Sequence, residues 1–156
     1  MISCSLQVQS AGSAPGGATQ TRITDYASVT REAELTTNRL DSASKLTFTC
    51  IENNGIAIPE GSQVELAVDG VRMFKGYIFT IERNHDGEVS YTAYDQLRYL
   101  KANASYTFEN MTLSQIIRQI AADFGLTVGV LEDPGYIFPC LIKENESCLD
   151  IIYDAL

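Results

Sequence analysis

Tryptophan is absent from this sequence, and histidine occurs once, as His85. Without tryptophan there is no broad indole platform for a sugar-binding groove. With one histidine and no C-x-x-C pair, a zinc site has little support, because structural zinc takes four Cys or His ligands at close spacing. Basic residues are also scarce, 11 against 20 acidic ones, for a net charge of -9. That balance opposes sequence-independent DNA binding, in which Lys and Arg replace phosphate counterions. It equally opposes docking on an anionic membrane. No apolar run approaches the roughly 20 residues of a membrane span. Residues 1–10 lack a basic n-region and a long apolar core, so no signal peptide is expected.

What is present is ordinary globular material. The chain has 156 residues, enough for one domain or two small ones, and 45% of them are hydrophobic. A chain of this size buries roughly 70% of its unfolded surface, so it needs no metal or disulfide to fold. Four cysteines occur, at 4, 50, 140 and 148. Cys50 takes an inward strand position and Cys148 an apolar helix face, which points to buried free thiols.

The organising stretch is residues 64–100. Val64, Leu66 and Val68 alternate with Glu65 and Ala67, the period of a half-buried strand. Asp69-Gly70 suits a two-residue hairpin turn. Residues 71–83 resume the strand pattern, with Tyr77, Phe79 and Ile81 on one face. Gly76 interrupts it as a bulge or close-packing glycine. Asp86-Gly87 turns the chain again, and Val89, Tyr91 and Ala93 form a return strand.

Around this meander lie further strands. Residues 2–8 alternate apolar and polar. Residues 9–22 are rich in Gly, Ser, Ala and Gln, which predicts a flexible arm, and Gly12, Gly16 and Gly17 do not form a phosphate loop. Residues 28–35 read as a strand, followed by a polar connection. In residues 45–51, Leu46, Phe48 and Cys50 face in, and Asn53-Asn54-Gly55 ends the strand. About six strands before residue 95, joined mostly by short turns, predict a mainly antiparallel barrel or sandwich. After residue 93 the period becomes helical. Asp95 is placed to cap a short helix. Residues 102–108 read as a connector. Thr112-x-x-Gln115 matches a capping box, and Leu113, Ile116, Ile117, Ile120, Ala121 and Phe124 make one apolar stripe. Gly125 stops that helix, residues 126–131 read as a short strand, and Ser147 caps a last helix whose apolar stripe runs to Leu156. That open stripe leads to the expectation that the natural chain continues. The expected division is a β domain over 1–103 and an α+β segment over 104–156.

Strand–turn–F-x-G-x-I at Phe74, Gly76 and Ile78, then T-A-Y-D-x-L-x-Y-L at residues 92–100, then the capped S-x-I-I-x-x-I helix, come in a specific order and spacing. This combination resembles the hub proteins of contractile phage tails, and is most similar to the PBSX-type hubs of phage-like elements. The resemblance covers about residues 45–156. It implies a structural protein with a tail-tube-like β-barrel, a homotrimer in which each subunit carries two such barrels. The hub would link tail tube to central spike among the other baseplate subunits, in a virion or tail particle assembled in the host bacterial cytoplasm. It implies no catalytic residue and no cofactor. DNA would pass through such a particle without being bound. An acidic lumen would repel phosphate, and plain solubility explains the same charge.

Catalytic alternatives are weak in the sequence. Glu82, His85, Asp86 and Glu88 gather at a hairpin tip, where solvation is the simpler reading. Glu32 with Glu34, and Asp150 with Asp154, share element faces but no aromatic groove. The sequons at Asn103, Asn110 and Asn145 overlap Thr112 and Ser147, which serve better as helix caps. The candidates for subunit contact are Tyr77, Phe79, Tyr91, Tyr94, Ile151 and Ile152, with edge strands and the arm beside them. The same aromatic residues support the alternative of a β-sandwich module that binds cell-wall carbohydrate.

Overall fold

A computed structural model describes residues 3–13, 19–38, 42–51, 58–85 and 87–156. Ile2, the centre of the 9–22 stretch, the Asn53-Asn54-Gly55 turn and Asp86 lie outside the described residues. The chain forms two compact units, one reaching Asp95 and one holding Gln96–Leu156.

Among the described residues the first unit has seven strands: β1 (Cys4–Ser13), β2 (Thr19–Asp25), β3 (Thr30–Thr36), β4 (Lys45–Ile51), β5 (Gln63–Val68), β6 (Val71–Arg83) and β7 (Glu88–Tyr94). They form one antiparallel sheet in the order β2-β1-β5-β6-β7-β4-β3. Much of the expected flexible arm is therefore a hairpin of β1 and β2. Its ladder runs from Gln7↔Asp25 to Ser13↔Thr19 without a register shift. Small and polar residues hid it, because a ladder is held by backbone hydrogen bonds that composition does not report.

No helix occurs among the described residues of this unit, yet its inner face is closed off from solvent. Leu6, Leu46, Phe48, Val64, Ile78, Val89 and Tyr91 join one core, and Leu46 and Val64 expose 0% of their surface. A flat sheet cannot bury one face alone, so the sheet folds over itself. The strand that makes this possible is β6. Its first half, from Val71 to Tyr77, pairs with β5, and its second half, from Tyr77 to Arg83, pairs with β7. A strand that changes layers in this way forms the corner of a sandwich.

Gly76 sits at the changeover. A Cβ there would overlap the Tyr94 carbonyl oxygen and lie 2.5 Å from Phe74 Cζ. Gly76 is thus the close-packing glycine, while the bulges fall elsewhere, between Leu66 and Ala67 against β6 and between Ile78 and Thr80 against β7. The second bulge changes the expected facing of β6. Phe74 and Ile78 point in, Tyr77 and Phe79 do not, and the extra residue returns Ile81 to the core side. The architecture is mainly antiparallel and sandwich-like. Of the expected barrel or sandwich, the sandwich describes it: β2 and β3 end the sheet, and no ladder joins them into a closed barrel among the described residues.

The second unit begins with a 3₁₀ turn, Gln96–Lys101, where the sequence pattern placed a short helix. Asp95, just before that turn, accepts the Ser44 N–H on Oδ2 at 3.0 Å. The remaining elements are β8 (Asn103–Thr112), α1 (Leu113–Asp123), β9 (Ile137–Ser147) and α2 (Cys148–Asp154). The expected connector over 102–108 is most of β8, which pairs with β9 from Asn103↔Ser147 to Thr112↔Ile137.

Capping fixes both helices. Gln115 Oε1 accepts from the Thr112 N–H at 2.8 Å, and Ser147 Oγ accepts from the Asp150 N–H at 3.1 Å. Gly125, at φ 64°, ends α1. The Gly125 and Leu126 amides donate to the Ala122 and Ala121 carbonyls, the paired bonds of a Schellman end. Phe108, Ile116, Ile120, Cys148 and Ile151 are fully enclosed in the core beneath the ribbon. Burying each isoleucine contributes about 2 kcal/mol. Residues 126–131 belong to no ladder, so the expected strand is not formed.

Candidate assembly surfaces

Three of the six candidate contact residues meet on the outer face of the first unit. Tyr77 stands opposite Tyr94 across β6 and β7. Phe79, the bulged residue, is 38% exposed, and its ring meets Tyr94 edge-on with centroids 5.6 Å apart. Alternation with the inward Ile78 turns Phe79 outward beside two tyrosines, and the bulge leaves Thr80 exposed after it. Tyr91 and Ile151 lie elsewhere. Tyr91 is 1% exposed and stacks on Phe48 at 5.1 Å, and Ile151 is wholly enclosed in the second core. Both side chains build the interior and present no outer surface. Ile152 is half-buried and packs against that second core.

The register extends the aromatic patch into a row. Gln9 stands opposite Gln63, Gln63 opposite Tyr77, and Tyr94 opposite Lys45. Gln63 Nε2 donates to Gln9 Oε1 at 3.3 Å. An open depression of about 360 Å³ lies at this end of the row, lined by Gln9, Pro59, Glu60, Gln63 and Tyr77 among others. The sequence pattern did not find Gln9 or Gln63, since nothing local marks a polar residue on an outward strand face as special.

The two ends of the seven-stranded sheet differ in kind. The β3 end carries exposed Arg31, Glu32 and Glu34, and its register shifts between Thr30 and Glu32. Charges and bulges discourage further strand pairing. Arg31 also forms an ion pair with Glu88. Hydrogen bonds from Arg31 and then Asn84 hold the Glu88 carboxyl below its usual range. At the other end, β2 is regular and seven residues long, and Ile23 stands 64% exposed on it. Its outer row of backbone groups has no ladder partner among the described residues. The Thr19, Thr21, Ile23 alternation is the signal that marks this edge in the sequence.

The carboxylates weighed as catalytic pairs serve other contacts. Glu32 and Glu34 stand exposed on β3. Asp150 Oδ2 accepts from Ser147 Oγ at 2.6 Å, and Asp154 pairs with Lys143 at 2.5 Å. Glu82 and His85 are exposed at the hairpin tip. Among the described residues, no three His, Cys, Asp or Glu side chains gather where they could hold a metal ion. Cys50 and Cys148 are buried, and burial raises both thiol pKa values; Cys4 and Cys140 are exposed, and all four are unpaired. No helix among the described residues is long and apolar enough to cross a membrane.

Residues 33–156 match the family model described as YQBQ-like. Over 135 residues the chain is 30% identical to YqbQ of Bacillus subtilis (strain 168), covering 82% of this chain and 41% of that protein. Over 102 residues it is 33% identical to the phage-like element PBSX protein XkdQ of the same organism, covering 64% of this chain and 31% of that protein. The chain thus spans less than half the length of these relatives. Its fold is shared with a 43 kDa tail protein of prophage MuSo2 from Shewanella oneidensis. The TM-score is 0.67 at 20% identity, over 98% of this chain and 47% of that one. A tail protein from Neisseria meningitidis MC58 gives 0.66 at 16% identity, over 97% of this chain and 44% of that one. The chain belongs to the YQBQ-like family.

Proposed function

We propose that this member of the YQBQ-like family is a structural component of a phage or phage-like tail. Within that tail it serves in the baseplate hub that links the tail tube to the central spike. The observation that carries the reading is the fold shared with a prophage tail protein over 98% of the chain. The kinship with a PBSX phage-like element protein agrees with it. On this reading the protein is a joint and catalyses no reaction. Its cores hold the shape, and its outward aromatic patch and open β2 edge meet tube, spike and other baseplate subunits. The hub subunit would be a homotrimer. The net charge of -9 fits a particle through which DNA passes without sticking.

The test is composition of the particle. Tail particles purified from the source bacterium are expected to contain this chain beside tube and spike proteins, at three copies per particle by quantitative mass spectrometry. Tails that lack it would sink the tail reading. Six copies, or a position on the sheath, would sink the hub reading and leave the tail reading standing.

The Tyr77, Phe79 and Tyr94 patch with its neighbouring glutamines favours one second reading, a module that binds cell-wall carbohydrate. Saturable retention on purified cell wall, lost in Tyr77→Ala, would support it.

A further inference from the structure

The open depression beside Tyr77 lies between the two assembly surfaces, the aromatic patch of β6 and β7 and the open β2 edge. Its volume is about 360 Å³; Gln9, Glu60, Gln63 and Tyr77 supply side chains, and the turn at 59–62 forms its rim. A smaller hollow of about 120 Å³ shares Gln9 and Gln63 with it and reaches Ile23 on β2. The depression is therefore continuous with both surfaces.

Its walls are fixed within the chain. Gly61, at φ 78°, donates its N–H to the Ile78 carbonyl at 2.8 Å, and the Ile78 N–H donates to the Ser62 carbonyl at 3.0 Å. Ser62 is buried, and its Oγ donates to the Pro59 carbonyl at 2.7 Å. Gln63 Nε2 donates to Gln9 Oε1 at 3.3 Å and to Glu65 Oε1 at 3.4 Å. Walls held in this way lose little freedom when a partner binds.

What these bonds leave over is mostly acceptors. Among the described residues, the Glu60 carboxylate, Gln63 Oε1 and the Tyr77 hydroxyl accept no hydrogen bond. No Lys, Arg or His lines either hollow. Glu65, in the smaller one, has Lys75 at 3.5 Å and Arg72 at 3.9 Å, so its charge is answered within the chain. Glu60 has no such cation among the described residues. A carboxylate, an amide oxygen, a phenol oxygen and an aromatic ring in one hollow complement a cation with several N–H donors. A guanidinium group carries five donors in one plane and stacks on aromatic rings. A neutral or acidic occupant would instead desolvate Glu60 without a counter-charge, which destabilises the contact.

We propose that this depression is a socket for a basic side chain, an arginine by its chemistry, presented by a different tail protein that adjoins this subunit. The proposal rests on the tail reading above and adds the chemistry of the partner to it. A second copy of this chain is a poor source, because 20 acidic residues against 11 basic ones make copies repel. The Gln9 amide nitrogen, a donor with no bond among the described residues, takes a main-chain carbonyl beside the inserted side chain. Arginine is also among the residues that carry most of the binding energy at protein interfaces.

Charge substitution in the natural polypeptide tests the socket. Glu60 bonds nothing among the described residues, so Glu60→Gln and Glu60→Lys should leave the thermal midpoint of the protein unchanged. Glu60→Lys should cut incorporation into tail particles at least about tenfold, and Glu60→Gln should cut it less. Glu144→Lys makes the same change of charge at an exposed position on β9 and should incorporate normally. Selection for restored tails in the Glu60→Lys background should return a basic-to-acidic change in another tail protein. Normal incorporation of Glu60→Lys would overturn the proposal, as would equal losses for Glu60→Lys and Glu144→Lys. Restoring changes confined to this chain would overturn it too. Particles assembled without the chain would instead remove the tail reading itself.

Discussion

The two units bury comparable cores by opposite means. In the first, a single sheet supplies both walls, and one strand, β6, carries the chain from one layer to the other. In the second, a two-stranded ribbon is too small to enclose anything, so α1 and α2 cover one of its faces. The difference teaches where each unit is vulnerable. The sandwich depends on backbone geometry at its corner. The ribbon depends on side chains from four separate elements meeting at one point, and on the caps that position its helices.

The largest effect is expected at that meeting point. Phe108 exposes 0% of its surface and joins the core formed with Ile116, Ile120 and Ile151. Phe108→Ala should cost about 4 kcal/mol, from lost transfer energy plus a cavity. Urea denaturation measures it. A loss below about 1 kcal/mol would mean that the ribbon collapses onto its helices as readily as a fluid would, and the contrast between the units would dissolve.

A pair of glycines sharpens the comparison further. Gly76 has a negative φ but no room; Gly125 has room but a positive φ. Gly76→Ala must push a methyl group into the Tyr94 carbonyl and the Phe74 ring, and should cost about 3 kcal/mol. Gly125→Ala meets nothing within 4 Å and should cost only the left-handed penalty, about 1 kcal/mol. Gly125→Asn should recover part of that loss, since asparagine tolerates the left-handed region, whereas Gly76→Asn should be worse than alanine. If the two alanine variants lose equal stability, the corner is not set by close packing.

The same two glycines show how much was legible beforehand. Gly125 could be placed from sequence because a helix stripe ends there, and stop signals act within one turn of chain. Gly76 could be singled out as an interruption, but its meaning depends on Tyr94, eighteen positions away, whose carbonyl it faces across a ladder. The hairpin turn at Asp69-Gly70, with φ values of 49° and 77°, was legible for the same local reason as Gly125. The β1–β2 hairpin was not. Its residues are small and polar, and its existence rests on main-chain bonds between segments that composition describes only as loose. β9 was invisible too, since Pro139, Lys143, Glu144 and Asn145 break any simple alternation. Of the contact surfaces, the aromatic residues of β6 and β7 were named. Which of them face outward depends on which neighbours are buried: Phe74 and Ile78 face in, so Tyr77 and Phe79 face out, while Val89, Tyr91 and Ala93 face in, so Tyr94 faces out. Residues 126–131, by contrast, carry strand-favouring residues but pair with no strand among the described residues, so local propensity misled there.

The smallest effect concerns Asp133 and tests whether the second unit's side-chain clamps act locally. Hydrogen bonds from Ser114, then Thr112, then the Gly135 amide hold its carboxyl below the usual aspartate value of about 4. Because the folded-state pKa is the lower one, the clamp contributes stability above the unfolded pKa. That contribution is lost as pH falls through the folded pKa. The carboxylate lies at the surface, so salt and solvent screen it and the global midpoint should shift little. The local signal should be clear nonetheless. In an acid titration followed by amide NMR, the Gly135 resonance should hold its position through pH 4 and move only below it. In Asp133→Asn, which keeps one acceptor oxygen but not the charge, the acid step should vanish while α1 stays helical. A Gly135 amide that titrates near pH 4 in the unaltered protein would show that the hydroxyl and amide donors leave the carboxylate unbiased. The far end of segment 126–136 would then be free to move, which is the opposite of what the sandwich corner, locked by backbone contact alone, does at any pH.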